Sequence, residues 1–178
     1  STQGVSSAAS DVYKRQVLAE ITGFGSTGDA YHMTAPEPSG EGVARAMRQA
    51  LEEGGFTPDD LGHLNAHGTG TPANDSTESK ALLALCGEEA GSRIPVTSVK
   101  GTTGHTLGAA GAIEAIVTAL SVMNDCVPPT AGFAEADPEC PVSVVTEAKT
   151  GYPQKVALSN SLGFGGHNAS LALSPYRA

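Results

Sequence analysis

The chain has 178 residues, 22 of them glycine, with aromatics at 4% and a formal net charge of −9. That length suffices for one domain with its own core, built from aliphatic side chains and close backbone packing at glycine. Acidity without a basic stripe argues against nucleic acid as a partner, and no apolar run is long enough for a membrane span or a signal peptide.

Residues 1–16 are small and polar without periodicity. Their abrupt change of character at Val17 predicts a loose, non-native segment ahead of a domain over 17–178. Val17–Phe24 reads as a strand. Gly23-Phe-Gly-Ser-Thr-Gly28 then spells GxGxxG. A dinucleotide site needs a helix to open at those glycines, whereas two prolines follow within ten residues and predict a loop. The expectation is a strand ending in a mobile turn.

Ser39 is positioned to cap a helix over 41–54, with Val43, Met47, Ala50 and Leu51 as its apolar stripe. Gly54-Gly55 ends it, and Thr57-Pro-Asp-Asp60 turns the chain. Leu64–His67 reads as a short strand, and a helix capped by Asn74 or Asp75 is expected to about Cys86. Ile94–Val99 is the next strand. Leu107–Met123 is a helix apolar on nearly all sides, which predicts burial between two layers. Val127-Pro-Pro129 breaks that helix, Asp137-Pro-Glu-Cys-Pro141 is a turn, and Val142–Val145 is a short strand. Lys155–Ser159 and Ala169–Leu173 form a final antiparallel pair, connected by Asn160–Asn168. Strands alternating with helices give an α/β fold with a mixed sheet. A single fully apolar helix implies a second one elsewhere, so the chain reads as half of a layered structure.

Three glycine-rich loops each carry polar groups beside a strand: His67-Gly-Thr-Gly-Thr71, Lys100-Gly-Thr-Thr-Gly-His105 and Asn160-Ser-Leu-Gly-Phe-Gly-Gly-His-Asn168. Such loops bring backbone N–H groups close to a ligand. None ends in Gly-Lys-Ser/Thr, so none is a phosphate loop. His63 and His67 lie four apart on a presumed strand and face different surroundings, which argues against a metal site. Two imidazoles can instead donate to one developing oxyanion. His105 precedes a helix N-terminus, whose positive end disfavours imidazolium. Cys86, Cys126 and Cys140 form no CxxC pair, as expected of a reducing, cytoplasmic setting.

Together the three loops, with Leu-Gly-Ala-Ala-Gly after His105 and Asn-Ala-Ser after His167, resemble the β-ketoacyl-acyl-carrier-protein synthases. Val127-Pro-Pro-Thr130 and Asp137-Pro-Glu-Cys140 resemble that family too. The match runs in order over about 17–175 and corresponds to the C-terminal half of a thiolase-like layered α/β/α/β/α fold, a mixed sheet with a buried helix. The resemblance implies decarboxylative Claisen condensation of malonyl-carrier protein with an acyl thioester in fatty-acid elongation. His67 and His105 would stabilise the enolate, with Lys100 and Glu114 supporting them. Thr69 and Thr71 would contact the phosphopantetheine arm of acyl carrier protein, and Phe164 would stand beside the acyl cysteine. The implied cofactors and metals are none, and the whole enzyme is expected to be a homodimer. The nucleophilic cysteine belongs to the other half, so this chain alone is expected to be inactive. The three cysteines present read as packing or surface thiols. Pro72-Ala-Asn-Asp after the first loop differs from the Gly-Asp-Pro-Ile-Glu of modular polyketide ketosynthases. A polyketide ketosynthase and a non-catalytic chain-length factor remain alternatives, although the latter usually loses these histidines.

Overall fold

A computed structural model describes residues 17–176; the expectations for residues 1–16 lie outside them. The elements run β1 (Ala19–Gly28), α1 (Glu41–Glu53), β2 (Leu61–Asn65), α2 (Pro72–Cys86), α3 (Glu88–Gly91), β3 (Pro95–Thr97), α4 (Lys100–Thr103), α5 (Ala110–Met123), β4 (Cys126–Val127), β5 (Ser143–Val144), β6 (Lys149–Thr150), β7 (Val156–Gly163) and β8 (His167–Pro175). One six-stranded sheet has the order β1-β8-β7-β2-β3-β5. Its β1–β8 and β8–β7 pairs are antiparallel and the others parallel. The expected mixed sheet is therefore present.

β1 runs four residues past the predicted end, through all three glycines, and pairs with β8 as far as Gly28 opposite His167. The first two glycines of the GxGxxG run have a packing cause. A Cβ on Gly23 would lie 1.9 Å from the Ala50 carbonyl oxygen, and one on Gly25 1.8 Å from that of Ala46. α1 thus lies directly on the strand backbone, and only glycine admits it. The stripe Val43, Met47, Ala50 and Leu51 is buried as predicted. Ser39 is not the cap: Gly40, in the left-handed region at φ 74°, takes that place without a side-chain hydrogen bond. Ser39 Oγ donates instead to Glu37 and accepts from the Glu41 N–H at 3.3 Å.

Alternation along β2 and β7 separates two chemically different faces. Leu64, Val156 and Leu158 join Met47, Leu51 and Leu82 in the apolar core under α1 and α2. Each such fully buried aliphatic side chain contributes about 1.5–3 kcal/mol. On the opposite face, Asn65 Nδ2 donates to the Glu114 carbonyl at 3.1 Å and to Thr118 Oγ1 at 3.0 Å. The helix there, α5, packs on this sheet by one side. Its inward stripe is polar, with Glu114, Thr118 and Ser121 buried. Ile116, Leu120 and Met123 point outward and are 42–60% exposed.

Other boundaries shift for identifiable reasons. β2 starts at Leu61 and ends at Asn65, so His67 lies beyond the strand. α2 begins at Pro72, with Thr71 as cap residue, because proline suits the first helical turn. The loop expected at 100–103 is one helical turn, and a 3-10 turn over Leu107–Ala109 precedes α5. β3 and β5 are shorter than predicted. The connection expected over 160–168 is largely strand, leaving a tight turn at Phe164-Gly-Gly166 where Gly165 and Gly166 take φ 86° and 75°. No helix among the described residues is long and apolar enough to cross a membrane.

Candidate functional site

The parallel strands β2 and β3 end side by side, and each is followed by a turn that bears a site residue. After β2 the chain bends through Gly68, at φ 46°, which places His67 at the strand tip. Ser98 Oγ fastens this bend by donating to the Gly68 carbonyl at 2.7 Å. After β3 the short α4 starts at Lys100. Gly101 permits that turn to abut residue 131, since a Cβ there would lie 2.0 Å from the Ala131 carbonyl oxygen. The chain then passes through Gly104 (φ 67°) to His105 and enters α5.

Lys100, buried at 8% exposure, uses its ammonium fully. It donates to His67 Nδ1 at 3.2 Å and to the His67 carbonyl at 2.5 Å, and it pairs with Glu114 Oε1. Three donors thus meet three acceptors. Burial pushes the Glu114 carboxyl up, and the adjacent Lys100 opposes that shift. Because Lys100 donates to Nδ1, His67 carries its proton on Nε2, the ring atom facing away from the lysine. Burial, reinforced by the charges of Lys100 and His105, depresses the His67 pKa to about 4. The ring is therefore neutral at pH 7 and a hydrogen-bond donor.

His105 reaches the same protonation pattern by a different contact. The Leu107 N–H donates to its Nδ1 at 3.2 Å, which leaves Nε2 as the protonated atom. Leu107 achieves this from the left-handed region at φ 52°. Non-glycine residues are strained there, and such strain collects at functional sites. The two imidazoles stand edge to face, 5.2 Å between centroids and 82° between planes. Two imidazoles, each with Nδ1 engaged by a donor and Nε2 left to donate, are thereby mounted together.

A cleft of about 810 Å³ opens beside His105, bordered by Gly68, Thr69, Lys100, Thr130 and Phe133; His67 stands behind it and does not line it. The Thr69 hydroxyl lies 2.9 Å from that of Thr71, which does not line the cleft. The structure thus assembles His67, Lys100, His105 and Glu114, with Thr69 and Thr71 adjacent. Phe164 is separate: it occupies the β7–β8 turn, 79% exposed, and does not line the cleft. Cys140 lines the cleft, but burial and the nearby Asp137, Asp75 and Glu139 push its thiol pKa up. Cys86 is pushed to about 11 by burial and Asp59. Neither thiol is set up as a nucleophile.

Sequence reasoning missed Glu78. It is 4% exposed on α2, and its carboxylate accepts the backbone N–H groups of His67 and Gly68 at 2.9 and 2.7 Å. Asn74, Thr77 and Glu78, all buried at helical i, i+3, i+4 spacing, are the available signal. A polar stripe on the buried side of a helix directly after a histidine-glycine loop marks a helix that serves that loop.

Comparison with known proteins extends these observations. The family described as beta-ketoacyl synthase, C-terminal domain, matches residues 18–134. The 3-oxoacyl-[acyl-carrier-protein] synthase 2 of Staphylococcus aureus (strain COL) is 49% identical over 162 residues, or 91% of this chain and 39% of that protein. A solved structure described as the ishigamide ketosynthase/chain length factor superposes with a TM-score of 0.87 at 36% identity, covering 96% of this chain and 41% of that one. Another, described as a type II PKS acyl-carrier protein in complex with its ketosynthase bound to the hexaketide, gives 0.88 at 33% identity, with 96% and 41% covered. The chain spans about two fifths of the length of these relatives.

Proposed function

The chain belongs to the β-ketoacyl synthase family, where it corresponds to the C-terminal domain, and from that premise we propose that it is the enolate-forming half of a 3-oxoacyl-[acyl-carrier-protein] synthase acting in fatty-acid elongation. The observation that carries this reading is the pair of adjacent imidazoles, each with Nδ1 accepting from a donor, which leaves Nε2 to carry the N–H.

A malonyl thioester bound with its carbonyl oxygen between the two Nε2–H groups loses carbon dioxide as its carboxylate C–C bond breaks. The electron pair passes to the α-carbon and the thioester oxygen. Negative charge on that oxygen grows only as the bond breaks, so fixed donors aimed at it stabilise the transition state more than the substrate. The enolate carbon then attacks an acyl thioester on a cysteine thiol, forming the new C–C bond and releasing the thiolate. Lys100 keeps His67 in its donating tautomer, and Glu114 holds Lys100. Thr69 and Thr71 line the approach of the phosphopantetheine arm of acyl carrier protein, which is the proposed partner; no dissociable cofactor or metal enters the scheme. Phe164 is proposed to act on the acyl side, beside the cysteine of the other half. A homodimer of the whole enzyme in the cytoplasm fits the reading.

The proposed pathway rests on the 49% identity to a synthase 2. The ketosynthase/chain length factor likeness at 36% supports a polyketide role as the second reading. Retention of His67, His105 and Lys100 argues against a purely non-catalytic subunit. The test is a chimera in which residues 17–176 replace the matching segment of the Staphylococcus aureus synthase 2. It is expected to condense malonyl- and acyl-carrier protein, and His67→Ala or His105→Ala to lower the rate by about 10²–10³-fold. A folded chimera whose rate is indifferent to both substitutions would overturn the proposal. The 178-residue chain alone is expected to give no turnover.

A further inference from the structure

Glu78 is a buried carboxyl that the scheme above does not use. Its Oε1 accepts from the His67 N–H at 2.9 Å and from Asn160 Nδ2 at 3.4 Å, and its Oε2 from the Gly68 N–H at 2.7 Å and Asn74 Nδ2 at 2.9 Å. All four partners are donors and none is a cation. Burial pushes this carboxyl's pKa up, and the four donors oppose the shift. A carboxylate satisfies such a cage completely. A protonated acid or an amide would turn a donor of its own against it.

From this geometry we propose that Glu78 is a positioning residue, whose carboxylate sets the direction and tautomer of the His67 ring by gripping the backbone N–H groups on both sides of the His67 Cα. Lys100 touches His67 twice, on the carbonyl and on Nδ1. Both contacts require the backbone to hold still, and the grip of Glu78 on consecutive N–H groups is what holds it. Through Asn160 the same carboxylate ties the first glycine loop to β7, so two of the three loops share one anchor. The inference rests on the reading of His67 as a neutral Nε2–H donor, but its test reads the ring itself and needs no condensation activity.

The experiment is NMR of the full chain with ¹⁵N-labelled histidine, from pH 4 to 8, for wild type, Glu78→Gln and Asn74→Ala. The groups facing His67 are Lys100 and His105, present in all three proteins. Wild type is expected to show one tautomer, Nε2–H, and no protonation of His67 down to pH 5. Glu78→Gln is expected to mix the tautomers, to raise the His67 midpoint toward the ordinary histidine value, and to speed amide exchange at His67 and Gly68 by about tenfold or more while Leu64 and Leu158 keep their protection. Asn74→Ala, which removes one donor without touching His67, is expected to move the same signals by a smaller amount. A folded Glu78→Gln protein with unchanged tautomer and midpoint overturns the proposal. Should Glu78→Gln not fold, Asn74→Ala decides: wild-type His67 signals overturn the proposal, and shifted ones support it. Loss of condensation in the chimera with this result intact would fault the proposed reaction and leave the anchor standing.

Discussion

His63 makes the stability of this fold depend on pH in a calculable way. It lies on β2 facing α5, 1% exposed. Its Nδ1 is 2.7 Å from Gln154 Oε1, and its Nε2 is buried without a partner. Gln154 in turn donates to the Cys126 carbonyl at 3.1 Å. Its amide oxygen therefore faces the ring and the ring donates from Nδ1. A second proton on Nε2 would be a buried charge with nothing to receive it, and burial depresses the pKa from 6.5 to about 4. The unfolded chain takes up a proton below pH 6.5, whereas the native chain resists until about pH 4. Stability from this group is present above pH 6.5 and is lost progressively between 6.5 and 4. At pH 5 the loss is about 2 kcal/mol, and the full difference in pKa is worth roughly 3 kcal/mol. His67 titrates in the same direction, and the raised carboxyls of Glu78 and Glu114 titrate in the opposite one. The measurement is therefore a difference: urea unfolding of wild type and His63→Gln at pH 7.5 and pH 5. The stability gap should move by about 2 kcal/mol in favour of the variant at the lower pH. Parallel pH dependence of the two proteins would refute the reasoning.

Glu114→Gln leaves Lys100 as a buried cation without a counter-charge, and a loss of about 3–5 kcal/mol is expected in urea unfolding at pH 7. Replacing the pair together, by Lys100→Met with Glu114→Leu, should cost less than either single change, which a double-mutant cycle checks. Gly25→Ala forces α1 off β1, because the new Cβ would sit 1.8 Å from the Ala46 carbonyl oxygen; thermal melts should show a loss of at least about 1–3 kcal/mol. Wild type should show no heat of NAD binding by calorimetry, since those glycines pack a helix. Gly68→Ala places a methyl 2.6 Å from Ser98 Cβ at a left-handed position, and it should reduce the chimera's rate more than its melting temperature.

Much of this architecture was legible in the residues. The stripe Val43, Met47, Ala50 and Leu51 identified α1, and the glycine loops with their flanking strands identified the C-terminal half of a thiolase-like α/β fold. His67, Lys100 and His105 were readable because each is a polar residue on a glycine-rich turn. Their tautomers were not. His105 is set by the N–H of Leu107, and no propensity announces a leucine at φ 52°. β1 was cut short because glycine normally ends a strand, and only the backbone of α1 lying against Gly23 and Gly25 explains why it continues. Glu78 escaped because a glutamate in a helix ordinarily faces water.

The same inversion governs α5. Its sequence is apolar almost throughout, as suits a helix between two layers of which this chain supplies one. The chain itself buries the few polar residues the helix possesses. Glu114 reaches Lys100, Thr118 Oγ1 accepts from Asn65, and Ser121 donates to the Cys126 carbonyl. These contacts place the polar stripe against the sheet face that carries the site, where hydrogen bonds fix the helix in register as apolar packing alone would not. The apolar residues are thereby turned outward. Two substitutions separate the faces. Ile116→Ser, at 60% exposure, should change the stability of this chain by no more than about 0.5 kcal/mol. Thr118→Val keeps the shape of the side chain and removes the acceptor for Asn65 Nδ2, and it should cost about 1–3 kcal/mol. Urea unfolding of both variants checks the assignment. A larger loss at Ile116 than at Thr118 would mean that the helix packs on the sheet through its apolar side.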